Sequence, residues 1–169
     1  MEKHMTIKNI VKETSERVDK ENAIIVDGQE FFIADYRPAL FLDRIGITQI
    51  DEIKGFHKIT YLEHLDLSRN KINSLPWGTG SKYTSNDENV PPCLKFLMWL
   101  DLSENDLMTV EWISAVPNVR TLLLHGNPRI DPDDLLKKTK KCLQHLAFLT
   151  YDREGIRKAR FFKTTSGHL

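Results

Sequence analysis

The eleven residues Leu62-EHLDLSRNKI constrain this chain more than any other stretch. Leu62, Leu65, Leu67, Asn70 and Ile72 stand at the offsets L-x-x-L-x-L-x-x-N-x-L, and the pattern recurs. Leu97-MWLDLSENDL supplies Leu97, Leu100, Leu102, Asn105 and Leu107. Val119-RTLLLHGNPRI supplies Val119, Leu122, Leu124 and Asn127, with Arg129 in the last apolar place and Ile130 after it. Leu40, Leu42 and Ile47 fit a degraded copy with Ile45 where Asn is expected, and Leu143, Leu146 and Phe148 fit the start of a fifth.

Each offset has a physical reason. The alternation x-L-x-L-x sends leucines to one side of a short strand and the residues between them to the other. The Asn ends the strand by turning inward, where its amide satisfies backbone groups that would otherwise be buried unpaired. One unit cannot bury its own leucines, so units must lie side by side and share a core. The spacing predicts an α/β solenoid with a curved parallel sheet of about five short strands, a helix-hairpin cap at the N-terminal end and a helical cap at the C-terminal end.

Along the chain, Ile7, Ile10, Val11, Thr14 and Val18 fall at helical spacing, which predicts an amphipathic helix over 5–20. Two β-prone runs flank Asp27-Gly28, a pair suited to a turn with two positive φ angles, so a hairpin is expected there. Residues 1–36 form the expected cap, residues 37–152 the repeats, and residues 153–169 the closing cap and tail, all as one continuous domain. Unit spacing is 25 from Ile47 to Ile72, 35 from Leu67 to Leu102 and 22 from Leu102 to Leu124. The surplus is a Gly-, Ser-, Asn- and Pro-rich insertion at 76–92, expected as a surface loop. Its Trp77 and Tyr83 are either contact residues or, for Trp77, a side chain packed at the root of the loop. Thr109-VEWISAVPN predicts a short helical turn with Trp112 and Val116 facing in. Asp131 and Pro132 open a helix as N-cap and first residue. Tyr151-DREGIRKARFF is expected as a last turn or short helix, with Ile156, Phe161 and Phe162 covering the final unit.

Composition sets outer limits. The formal net charge is zero, which gives no bulk attraction to nucleic acid or membrane. Residues 1–128 nevertheless hold 14 Lys/Arg against 19 Asp/Glu, and residues 129–169 hold 10 against 5. Cys93 and Cys142 lack metal-ligand or disulfide-framework spacing and read as free thiols of a reducing compartment. No run reaches the roughly 18 apolar residues of a membrane span. The expectation is an intracellular monomer, cytoplasmic or nuclear, without cofactor or metal and without contact to a membrane.

Alternation also predicts which side chains face outward in rows across successive strands. One row holds Ala39, His64, Trp99 and Thr121; the next holds Phe41, Asp66, Asp101 and Leu123. Asp43, Ser68, Ser103 and His125 form a third row, and Arg44, Arg69, Glu104 and Gly126 a fourth. Aromatic anchors among polar groups are what protein interfaces use. The expected partner-binding residues are therefore Phe41, His64, Asp66, Arg69, Trp99, Asp101, Leu123 and His125. Asp66 and Asp101 sit one above the other, yet no third ligand or catalytic partner completes a metal or acid–base set, so an enzyme is not expected.

The units resemble the short, 22-residue-type intracellular leucine-rich repeats. Leu146-AFLTYDRE is similar to the segment that closes acidic leucine-rich nuclear phosphoproteins and related spliceosomal A-prime, phosphatase-regulatory and dynein light-chain proteins. It departs from them in lacking a Gly before the aromatic residue. The resemblance is specific for architecture; it is the outward residues around Phe41, His64, Asp66, Trp99 and Asp101 that point to a protein-binding module, acting through the concave face of the sheet on a helix or loop of its partner. The alternative is a subunit of an RNA–protein assembly using Lys137, Lys138, Lys140, Lys141, Arg157, Lys158 and Arg160, whose binding would weaken steeply with salt. A third reading has helix 5–20 dock the chain onto another protein.

Overall fold

The computed structural model describes residues 24–31, 33, 38–77 and 91–162. The helix expected over 5–20 and most of the surface loop expected at 76–92, residues 78–90 with Tyr83 among them, lie outside these residues. Strands β1 (Ile24–Val26) and β2 (Gln29–Phe31) form the expected antiparallel hairpin. Its turn residues have the required positive φ, 47° at Asp27 and 71° at Gly28. Ile24 and Val26 are buried. Ile25 joins the return segment of the first unit through two backbone hydrogen bonds with Lys54, at 3.0 and 2.9 Å.

Five three- to six-residue strands then run parallel, in sequence order: β3 (Ala39–Phe41), β4 (His64–Asp66), β5 (Trp99–Asp101), β6 (Thr121–Leu123) and β7 (Phe148–Arg153). Register places Leu40, Leu65, Leu100, Leu122 and Leu149 side by side. All five are buried, as are Leu42, Leu67, Leu102 and Leu124 two residues on. A fully buried Leu side chain contributes roughly 1.5–3 kcal/mol relative to exposure, so this double file of leucines supplies much of the driving force.

The return segments are mostly short 3-10 turns, among them Ile50–Glu52, Phe56–Lys58, Pro92–Phe96 and Glu111–Ala115. Trp112 and Val116 face inward as expected, and the Trp112 indole N–H donates to Thr109 O at 2.9 Å. Trp77 is fully buried, its ring centroid 6.1 Å from that of Phe56. It is the packed root of the insertion and not a surface contact. Helix α1 (Pro132–Cys142) begins as read, with the Asp131 carboxylate accepting from Asp133 N at 2.8 Å.

The asparagines tie neighbouring units together. Asn105 Oδ1 accepts from Ile72 N at 2.9 Å, and its Nδ2 donates to Leu67 O in the preceding unit and to Leu102 O in its own. Asn127 repeats this on Leu107 N, Leu102 O and Leu124 O. Asn70 accepts three N–H groups, those of Ile45, Gly46 and Ile47, and donates to Leu42 O, Leu67 O and Ser68 O. Each of these three asparagines thus reaches backward along the chain. Among the described residues the first unit has no earlier leucine-bearing strand beside it, which is why Ile45 can replace its Asn. At the other end, the Asp152 carboxylate accepts from Gly126 N at 2.5 Å, and Pro128 has no N–H to satisfy.

Two expectations fail at the C-terminal end. The fifth unit is Leu146-x-x-Leu149-x-Tyr151, three residues later than the Leu143, Leu146, Phe148 reading. Leu143 is the C-cap of α1, its N–H still bonded to Thr139 O, so no strand geometry is available there. The expected helical cap is instead a β-hairpin: β7 turns at Glu154-Gly155, with φ of 55° and 73°, into antiparallel β8 (Ile156–Phe161). Ile156 and Phe161 are exposed rather than covering the last unit, and only Phe162 packs against the core.

Burial makes a prediction about the thiols. Cys93 is buried and its pKa is pushed up to about 12 by that burial, whereas Cys142 is part-exposed. At pH 8 a disulfide reagent is expected to titrate one thiol per chain, Cys142, with Cys93 reacting only after denaturation. Two fast-reacting thiols in the native protein would contradict this packing.

Candidate protein-interaction face

On the side of the sheet away from the leucine core, register confirms the first two rows and lengthens them. Ala39, His64, Trp99 and Thr121 are followed by Phe148 and Phe161. Phe41, Asp66, Asp101 and Leu123 are followed by Thr150 and Ala159. Phe41 is 57 % exposed. Trp99 and Leu123 are half-buried and His64 is exposed. His64 and Trp99 approach at 6.2 Å between ring centroids, and Phe148 and Phe161 at 4.8 Å. The first row therefore carries one aromatic pair on β4–β5 and another on β7–β8.

Neither Phe148 nor Phe161 is expected on this face from sequence: the misplaced fifth unit turns Phe148 inward, and Phe161 is read as covering the final unit. A further exposed pair, Tyr61 and Phe96, lies just ahead of β4 and β5 with centroids 5.1 Å apart, and Lys95 Nζ sits 5.0 Å from the Phe96 ring centroid. Its signal was weak, since neither residue occupies a repeat offset.

The acidic residues of the second row have a structural role. Asp66 Oδ1 accepts from Ser68 N at 2.9 Å, and Asp101 Oδ1 from Ser103 N at 2.8 Å. These are Asx turns that bend the chain out of each strand. They also draw Ser68 and Ser103 into burial, so the third row is less open than alternation alone implies. One residue on, Arg44, Arg69, Glu104 and Gly126 all have positive φ, between 54° and 76°. Burial raises the Asp101 pKa, partly offset by the Ser103 hydrogen bonds and reinforced by Asp66. Arg69 Nε lies 3.2 Å from Glu104 Oε2 in an exposed pair, of little weight for stability.

His125 shares a hydrogen bond of 2.9 Å between its Nδ1 and Thr150 Oγ1. Burial lowers its pKa and Arg157 lowers it further, against Asp101, Asp152 and Glu104. The neutral ring is thus favoured in the folded chain. Its contribution is fully present above the unfolded value of about 6.5 and is lost as pH falls through that value towards the folded one. Denaturant unfolding of His125→Gln is expected to lose less stability between pH 8 and pH 5 than wild type. An equal loss in both proteins would refute that role for His125.

Among the described residues, no group of three or more His, Cys, Asp or Glu side chains is placed to hold a metal ion. No described helix is long and apolar enough to cross a membrane. The cations of the RNA reading are dispersed. Lys138 pairs with Glu111, and Lys137, Lys140 and Lys141 are exposed on α1, which packs on the return segment 111–115. Arg157 stands across from Asp152, on the face of the aromatic rows. Lys158 and Arg160 alternate to the reverse of β8, with the Arg160 guanidinium 5.2 Å from the Phe162 ring centroid.

A protein-family profile described as Leucine Rich Repeat matches residues 61–81. The chain carries a leucine-rich repeat. The match begins just before β4 and contains Leu62, Leu65, Leu67, Asn70 and Ile72, the residues whose packing and hydrogen bonds hold the second unit to the first. Outside this leucine-rich repeat, comparison adds nothing: no curated protein and no solved structure matches the chain.

Proposed function

We propose that the chain is a non-enzymatic protein-interaction module: a leucine-rich repeat solenoid of five units whose concave face receives a helix or loop of a partner protein. The observation that carries this reading is the outward aromatic row. Folding does not require Trp99 and Phe148 on the outward side of the parallel strands, Phe161 beside Phe148 on antiparallel β8, or Phe41 in the next row. Aromatic rings preset by rigid strands lose little entropy on binding, and such rings dominate the energetics of protein interfaces. Polar neighbours flank them: His64, Arg69, His125 and the Asx-turn carboxylates Asp66 and Asp101. Leu123 adds an apolar step between the two aromatic pairs.

The test is the double variant Phe41→Ala, Trp99→Ala, compared with Lys140→Ala, Lys141→Ala on α1. Proteins captured from an extract of the source cells by the wild-type chain should be lost with the first variant and retained with the second. The melting temperatures of all three should lie within a few degrees of one another. Retention by the aromatic variant would move the site elsewhere, and its unfolding would make the two rings part of the core. Loss only with the lysine variant, accompanied by binding to RNA, would favour the RNA–protein assembly.

A further inference from the structure

The sheet ends on β8, six residues long and exposed along its whole length. Its hydrogen-bonding phase can be read from its neighbour. Phe148 N donates to Arg120 O at 3.0 Å and Thr150 O accepts from Leu124 N at 2.9 Å, so Phe148, Thr150 and Asp152 direct their backbone groups to β6. Leu149, Tyr151 and Arg153 therefore face β8, opposite Arg160, Lys158 and Ile156. Phe162 N donates to Ala147 O at 2.9 Å, in the same phase. Arg157, Ala159 and Phe161 are left with N–H and C=O groups pointing away from the sheet. Among the described residues nothing pairs with them.

We propose that this edge takes an extended, acidic segment of a partner protein as an added antiparallel strand, hydrogen-bonded to Arg157, Ala159 and Phe161. Charge decides the occupant. Three of the six β8 residues are cations, Arg157 on one face and Lys158 and Arg160 on the other. A second copy of the chain fits badly. Every in-phase antiparallel pairing of two β8 strands that joins two or more of the outward residues sets Lys158 or Arg160 opposite Lys158 or Arg160 of the copy. Like charges directly opposite one another destabilise a strand pair. An acidic strand turns each of these positions into an attraction, and Phe161, 79 % exposed, offers an apolar neighbour at one end. Opposite Phe161, Arg160, Ala159, Lys158 and Arg157 the partner reads, from N to C, apolar, acidic, any residue, acidic, acidic. Backbone pairing gives affinity to such an added strand, and alternate side chains give it selectivity.

This goes beyond the concave-face reading and is tested separately from it. The probe is a short fluorescent peptide with the central sequence Val-Glu-Thr-Glu-Glu, titrated into the full chain and followed by anisotropy and by amide exchange. Binding is expected with new protection at the amides of Arg157, Ala159 and Phe161. Changing the central Thr of the peptide to Pro removes an N–H and should weaken binding about tenfold or more. The triple variant Arg157→Glu, Lys158→Glu, Arg160→Glu should reject this peptide and accept its counterpart Val-Lys-Thr-Lys-Lys. The Phe41→Ala, Trp99→Ala variant should bind as wild type does. Equal affinity for the Pro peptide would mean charge adhesion without strand addition and would overturn the proposal. So would the absence of binding, indifference to the charge reversal, or a concentration-dependent dimer that protects the same three amides.

Discussion

Asn70→Ala is expected to lower the unfolding free energy by about 4 kcal/mol, since each buried group left without its partner costs about 1–3 kcal/mol. The Asn70 side chain makes six hydrogen bonds, three of them accepted from the consecutive N–H groups of Ile45, Gly46 and Ile47. An Ala methyl replaces none of these, and a water would need both the room and the mixed donor–acceptor geometry of the amide. Asn105 and Asn127 each accept a single N–H, from Ile72 and Leu107. Their Ala variants should therefore lose less, about 2–3 kcal/mol. Equilibrium urea unfolding of the three single variants, at unchanged m-value, checks both the size and the order. If Asn70→Ala proved the mildest of the three, the backward-reaching ladder would not be the source of the stability.

The second large effect is expected at Gly126. It occupies the left-handed position that Arg44, Arg69 and Glu104 fill in the earlier units. Those three carry side chains there, so the conformation alone does not demand glycine. The neighbour does: a Cβ on Gly126 would stand 2.9 Å from both the Cα and the N of Glu104. Left-handed strain of roughly 1–2 kcal/mol and overpacking of roughly 1–3 kcal/mol together predict a loss of about 3 kcal/mol for Gly126→Ala. Arg69→Ala, at the equivalent place in the second unit, should stay within about 0.5 kcal/mol of wild type. Adding Glu104→Gly to Gly126→Ala should give no rescue, because the backbone atoms in the way remain. Full recovery in that double variant would locate the conflict in the Glu104 side chain instead.

The parts of this fold that could be read from the residues are those in which one residue type performs one task repeatedly. Leu65, Leu100 and Leu122 sit in register because each strand has the same burial to accomplish, and Asn70, Asn105 and Asn127 recur because each unit presents a similar set of backbone groups. Asp27-Gly28 was legible because few residues accept two positive φ angles in succession. Glu154-Gly155 makes a similar turn with a glutamate at φ 55°, a residue that carries no turn signal, so β8 was missed and with it the place of Phe161. The fifth unit slipped because Leu143 and Leu146 keep the leucine spacing while Leu143 still belongs to the end of α1. The outward rows were predictable in register but not in chemistry. Alternation places Asp66 and Asp101 on the surface, whereas the hold of their carboxylates on the Ser68 and Ser103 N–H groups depends on how the chain bends after each of these two strands.

The direction in which the asparagines reach has a consequence for biosynthesis. As the chain leaves the ribosome, the loop after each leucine strand emerges with its amides bare, and the side chain that will hold them is translated some twenty or more residues later. Maturation must lag one turn behind elongation along the repeats, with the loop at Gly126 the last to be secured, when Asp152 arrives. A nascent chain arrested between Asn127 and Asp152 would hold three finished joints and one unfinished, which is where a chaperone or a protease would find its opening.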